Sequence, residues 1–246
     1  MKQNVKIVST YLIGFIGLNL IMILLIASIP GLLDDQELFT QYSIYANVSF
    51  YFITAAVLII MFRTYLKEQI KDYISRIKFM GLVVAGGVVS IYIAAMIAGI
   101  VLTLLGVEQE AANQQGILDM IEASSTIQLI LIITFITVLA PIVEELVFRK
   151  GVYGLVGKFT MNLLSKPDNE ENKKQAHLIA NIVAIVVSSF VFGAIHATDA
   201  YILLYAGLGM VLGTVYFISN KNIIAPMVVH VLYNTVSIVL TLFVFN

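Results

Sequence analysis

The 246-residue sequence contains no cysteine, which removes disulfide frameworks, thiolate zinc sites and cysteine nucleophiles together. Any metal would need histidine and carboxylate ligands. Charge is nearly as scarce, at 12% of residues against roughly 25% in soluble domains. Net charge is −1 and there is no basic stripe or RNA-binding motif, so a nucleic-acid partner is set aside. No HExxH zincin signature is present, and no internal repeat stands out.

What is abundant is apolar sequence: 60% of residues are hydrophobic and the mean hydropathy is +0.96. This is the composition of a polytopic, all-α integral membrane bundle. Lys2 and Lys6 precede a first apolar run, 7–29, closed by Pro30 and Gly31. That run is too long for a signal-peptide core and lacks a small-x-small cleavage site, so it reads as an uncleaved span. Further runs lie at 44–62, 79–105, 127–143, 176–195, 201–218 and 223–245, giving about seven spans, each matched to the ~20 residues that cross a ~30 Å hydrocarbon core. The fourth should continue past Arg149 towards Lys158.

Segments 63–78 and 158–175 are polar and read as exposed linkers, the second with a Pro167-Asp168-Asn169 turn signal. Gly81, Gly86, Gly87 and Gly99 in the third run, and the Gly209–Gly213 pair in the sixth, allow close helix packing and permit a homodimer.

Placing the N-terminus in the cytoplasm puts all fourteen lysines and arginines on the inner side. The opposite loops carry acids, among them Asp34, Glu108, Glu110 and Asp199, but no basic residue. The expected topology is therefore N-in and C-out. It forms a single membrane domain with spans one to three in 1–110 and a functional core in 124–245.

Against this background, Glu144, Glu145 and Arg149 end an apolar run. A charge near the bilayer centre costs at least ~2.5–3.5 kcal/mol, so such groups usually face a protein interior and mark function. On a helix, Glu145 and Arg149 share a face at pairing distance, while Glu144 points about 100° away and stays free. His196 follows Phe192 by four residues, and His230 precedes Asn234 by four, so each pair shares a face. His177 reads as an interfacial residue.

A free carboxylate beside a histidine can take a proton from water, as Glu144 with His196 would. Histidine and asparagine side chains can stabilise a developing oxyanion, worth roughly 3–4 kcal/mol per donor, as His230 and Asn234 would. A proton-coupled transporter could use the same groups as a relay, although paired inverted repeats are lacking.

The ordered set Glu144-Glu145-x-x-x-Arg149, Phe192-x-x-x-His196 and His230-x-x-x-Asn234 resembles the three motifs of the CPBP intramembrane proteases, the CAAX protease and bacteriocin-processing, or Abi, family. The resemblance implies an intramembrane endopeptidase related to the type II CAAX prenyl endopeptidase. On that pattern Glu144 and His196 activate a water, His230 and Asn234 form the oxyanion site, and Glu145, Arg149 and Phe192 support them. It also implies a multi-pass protein of the bacterial cytoplasmic membrane acting on a membrane-associated peptide or protein. The same motifs could serve a non-catalytic bacteriocin-immunity or regulatory scaffold. Catalysis without a cofactor is the first expectation. The alternative is zinc held by Glu144, His196 and His230, with an open position for water.

One length does not fit a straight span: His196 lies ~33 Å along a helix from Lys174. Either the chain from Lys174 to about Asn181 lies outside the hydrocarbon, or residues 196–200 dip back into the protein.

Overall fold

The computed structural model describes residues 2–29, 31–32, 34–107, 112–122, 124–164 and 169–244. Pro30, Glu108, Glu110, Lys166, Pro167, Asp168 and Phe245, which carried parts of the reading above, lie outside the described residues. Every regular element among the described residues is helical, and the protein is an all-α polytopic membrane bundle. The elements are α1 (Lys2–Ser28), α2 (Gln36–Met61), α3 (Arg63–Ser75), α4 (Ile77–Leu104), α5 (Ala112–Glu122), α6 (Thr126–Leu163), α7 (Glu170–His196), α8 (Ile202–Ile218) and α9 (Ile224–Val244). Six of them, α1, α2, α4, α6, α7 and α9, are long and apolar enough to cross a membrane. The expected sixth span appears as α8, which has 17 residues and rises ~26 Å, at the lower end of what spans a bilayer.

Polar side chains set the helix starts. Asp35 accepts from the Leu38 amide at 3.0 Å to open α2. Ser125 and Gln128 form a reciprocal capping box at the start of α6, and Asn169 accepts from the Asn172 amide to open α7. Helix α7 is unbroken over 27 residues, ~40 Å, which exceeds the hydrocarbon core by ~10 Å. Its first turns carry the excess as Glu170, Glu171, Lys173 and Lys174.

The bundle is held at its centre by α8, which packs against α7, α4 and α9. Small residues permit this approach. A Cβ added at Gly209 would lie 3.0 Å from the Ser189 backbone, and one at Gly213 would lie 3.3 Å from Ile185. Of the glycines expected to pack in α4, only Gly87 does so, against Val215 and Val229; a Cβ at Gly81, Gly86 or Gly99 meets nothing within 4 Å. Those three face the lipid side, where a missing side chain brings no neighbour closer.

Segment 63–78 is not a linker. Helix α3 covers most of it and clamps the α8–α9 turn. Asn222 Nδ2 donates to the Gln69 carbonyl at 2.9 Å and to the Asp72 carboxylate at 2.7 Å, and the Ile223 amide donates to Gln69 Oε1 at 2.9 Å. Arg76 bonds both Asp72 and the Ser219 carbonyl. The turn itself places Asn220 and Lys221 at positive φ. Hydrogen bonds from Arg76 and then Asn222 hold the Asp72 carboxyl below its usual range. This part of the clamp is therefore complete above the ordinary carboxylate pKa and is lost as pH falls through the lower folded value. The clamp fixes the start of α9, and with it the height of His230.

The close approach of α7 and α8 gives a direct test. A Cβ at Gly193 would stand 2.7 Å from the Ile202 carbonyl oxygen, a backbone atom that cannot swing aside. Gly193→Ala should destabilise the protein by about 1–3 kcal/mol, whereas Gly86→Ala should change stability by no more than ~0.5 kcal/mol. Thermal melts of the purified protein in detergent compare the two.

Candidate active site

Helix α6 carries the two glutamates in a short α-helical stretch, Ala140–Glu145, between two π-helical segments, Phe135–Leu139 and Leu146–Val152. In the first, the Ala140 amide bonds to the Phe135 carbonyl five residues back. The next bond in that register would run from residue 141 to the Ile136 carbonyl, but Pro141 has no N–H to give. Asn234 of α9 fills the place, donating from Nδ2 to the Ile136 carbonyl at 2.9 Å. A proline three residues before the first motif thus leaves free the acceptor that the asparagine of the third motif satisfies.

Glu145 is fully buried and uses both carboxylate oxygens. Oε2 accepts from Arg149 Nε at 3.0 Å, and Oε1 stands 3.0 Å from His230 Nδ1. Arg149 is equally buried, its guanidinium 5.5 Å from the Phe192 ring centre, a cation–π contact. Neither of its Nη atoms has a hydrogen-bond partner among the described residues. Phe192 also packs edge-on to Phe148 at 5.2 Å and lies 4.3 Å from the His196 ring.

The other glutamate faces a different way. Glu144 Oε2 lies 3.8 Å from His196 Nε2 and 3.8 Å from His230 Nε2. That is beyond a direct hydrogen bond and suits one bridging water. The far nitrogen of each ring is tied back. His196 Nδ1 lies 2.8 Å from the Phe192 carbonyl, which can only accept, so this nitrogen carries the proton. His230 Nδ1 faces the ion-paired Glu145 in the same manner. In their neutral forms both histidines therefore turn an Nε2 lone pair towards Glu144. A carboxylate and two imidazole lone pairs surround one point, and such a set calls for a donor in the middle.

Glu144, His196, His230 and Asn234 all line one cavity of about 680 Å³. It extends past Tyr51 of α2 and Ile91 of α4 to Gln114 and Met120 of α5, Tyr201 before α8 and Thr241 near the end of α9. Glu145 and Arg149 do not line it, and His177 sits on the exposed face of α7. The structure brings together the four residues read as reacting groups and sets Glu145, Arg149 and Phe192 directly behind them. It adds one residue that no spacing rule singled out: the Tyr51 hydroxyl donates to Glu144 Oε1 at 3.2 Å. Tyr51 lies in an apolar run without a motif, so only the polarity of a tyrosine at mid-span marks it.

The donor types of Glu144, His196 and His230 are those that bind zinc. Among the described residues, however, no three histidine or carboxylate groups are gathered closely enough to hold a metal ion. A tetrahedral site with ~2.0–2.1 Å bonds needs donors ~3.3–3.4 Å apart, and here Glu144 stands 3.8 Å from each imidazole.

Comparison with known proteins follows the same residues. Segment 126–236, which spans all three motifs, matches the family described as type II CAAX prenyl endopeptidase Rce1-like. The match supports a likeness to the CPBP, or CAAX protease, family over that segment. It is similar to the putative membrane peptidase YdiL of Bacillus subtilis, 27% identical over 212 residues, covering 85% of this chain and 75% of that protein. It is also similar to the membrane-embedded CAAX protease MroQ of Staphylococcus aureus, 26% identical over 234 residues, covering 88% and 85%. No solved structure matches. Together with the six apolar helices, these likenesses support a multi-pass membrane peptidase.

The Glu145–Arg149 pair can be tested apart from activity. Arg149→Met strands a buried carboxylate and should cost about 3–5 kcal/mol, and removing both charges with Glu145→Gln/Arg149→Met should recover most of that loss. Thermal melts of the three proteins in detergent decide it; equal stability of both variants with wild type would show that the pair carries no folding load.

Proposed function

We propose that this protein is an intramembrane endopeptidase that hydrolyses a peptide bond with a water activated by Glu144 and His196. The observation that carries the reading is the convergence of Glu144 Oε2 with two imidazole Nε2 atoms at 3.8 Å each, on the wall of one large cavity. A water at that point gives one hydrogen bond to Glu144 Oε2 and one to His196 Nε2, which leaves an oxygen lone pair for the scissile carbonyl carbon. As the C–O bond forms, the first proton passes to Glu144. Glu144 then delivers it to the departing amide nitrogen as the C–N bond breaks, giving a carboxylic acid and an amine.

The oxyanion needs donors. Asn234 Nδ2 gives one hydrogen to Ile136 and keeps a second for the cavity. His230, whose Nδ1–H is directed at Glu145, donates from Nε2 only when its ring carries both protons, and Glu145 is the counter-ion for that imidazolium. In that state the site holds two carboxylates, one guanidinium and one imidazolium, a neutral sum suited to a low-dielectric interior. Zinc would be held, if at all, by Glu144, His196 and His230, and no step above depends on it.

The substrate is a membrane-associated peptide or protein of a bacterial cytoplasmic membrane. The cavity is lined also by residues of α5, the start of α8 and the end of α9, the bundle end that carries no lysine or arginine. With the N-terminus inside, the substrate enters from the outer face.

Two measurements test this reading. Cleavage of membrane-anchored reporter peptides by purified protein should fall at least ~10²-fold in folded Glu144→Ala and survive a chelator; loss on chelation with recovery on zinc would reverse the metal-free assignment, and cleavage retained in Glu144→Ala would end it. Because the chain is free of cysteine, single cysteines report sidedness cleanly. Gln114→Cys should react with a membrane-impermeant maleimide on intact cells and Lys71→Cys should not, and the reverse pattern would place the cavity mouth inside.

A further inference from the structure

The matched segment begins at residue 126, yet α2, which precedes it, brings a tyrosine to the buried Glu144. Tyr51 of α2 donates to Glu144 Oε1 at 3.2 Å. Its ring is fixed by Phe135 of α6, 4.8 Å away, and by Phe50, edge-on at 5.0 Å. Behind it stands the buried Tyr11 of α1, packed 5.7 Å from Phe50. A phenol hydroxyl placed in such an apolar setting costs free energy unless it is bonded, and a phenylalanine would fill the same space without that cost. The hydroxyl therefore needs an explanation beyond packing.

Glu144 supplies one. The terminal torsion of a glutamate is soft, so nothing in the backbone fixes the rotation at which its carboxylate meets the histidines. The imidazoles do not fix it either, because both Nε2 atoms stand 3.8 Å from the carboxylate, beyond a direct hydrogen bond. A donor on the opposite oxygen can. We propose that Tyr51 is a positioning residue: by holding one oxygen of Glu144 it fixes the rotation of the carboxylate, so that the other oxygen points at His196 and His230 and takes the proton. Helix α2 is then part of the hydrolytic site. This inference rests on the reading of Glu144 as the group that activates water.

The test uses the full-length protein and the same reporter peptides. Tyr51→Phe keeps the ring and removes the donor; it should lower kcat about 10- to 100-fold, the range of a hydrogen bond to a charged group, with KM within about twofold of wild type. Replacing Tyr51 by 4-aminophenylalanine restores a donor on the same ring and should raise kcat several-fold above the Phe variant. Wild-type kcat in Tyr51→Phe, a loss confined to KM, or no recovery with 4-aminophenylalanine would each overturn the assignment. Loss of folding in Tyr51→Phe, seen as a collapsed thermal melt, would overturn it in favour of a structural role. Glu144→Ala separates the two levels. If it retains turnover, the hydrolytic reading fails; if it is inactive while Tyr51→Phe is fully active, only the role of Tyr51 fails.

Discussion

The buried Glu145 carboxylate is the joint on which the site depends. One oxygen binds Arg149 on its own helix and the other faces His230 on α9, both at 3.0 Å. A lone carboxylate at full burial would be very costly, and removing one partner of a buried pair typically costs 3–5 kcal/mol. Here the carboxylate does more than satisfy the arginine. Its second oxygen fixes the rotation and tautomer of His230 and so decides which nitrogen of that ring meets Glu144, as outer carboxylates do for histidines in many enzyme sites. The adjacent glutamates are therefore unequal by geometry: one is consumed in holding the site together, the other lines the cavity.

The same division of labour runs through α6. Two π-helical segments bracket the glutamates, and such segments are rare and often found at functional sites. The first arises beside Pro141, whose missing N–H leaves the Ile136 carbonyl to be claimed from α9 by Asn234. The second contains Gly151, where a Cβ would meet Val8 at 2.8 Å, and α1 packs onto it there. Local departures from α-helical bonding thus admit neighbouring helices to the motif, so that α1, α2 and α9 reach a segment an ideal helix would have kept to itself.

Much of this could be read from residue order. In a chain so poor in charge, Glu144, Glu145, Arg149, His196, His230 and Asn234 stood out because each is costly at its depth, and four-residue spacing correctly paired Glu145 with Arg149. Three features escaped for physical reasons. Segment 63–78 looked like a linker because its polarity was counted without its period, whereas α3 uses that polarity to grip the α8–α9 turn. Glycines Gly81, Gly86 and Gly99 looked like packing sites, but composition does not say which side of a helix meets protein and which meets lipid. Tyr51 gave no signal, since tyrosines are common in membrane spans and its partner lies 93 residues away.

That last distance also bears on why the N-terminal helices are present at all. Helix α1 buries only Ile7 and Tyr11 along its 27 residues, too little for its packing alone to explain the place of a polar hydroxyl. Yet Tyr11, Phe50, Tyr51 and Phe135 form a continuous aromatic contact from α1 through α2 to α6, ending one hydrogen bond from Glu144. A rigid aromatic support of this kind loses little rotamer entropy on ordering, and with its polar tip on the carboxylate it suits a group whose orientation must not drift. The core segment carries the glutamates and histidines that meet at the cavity; α2, braced by α1, brings the hydroxyl that reaches the first of them.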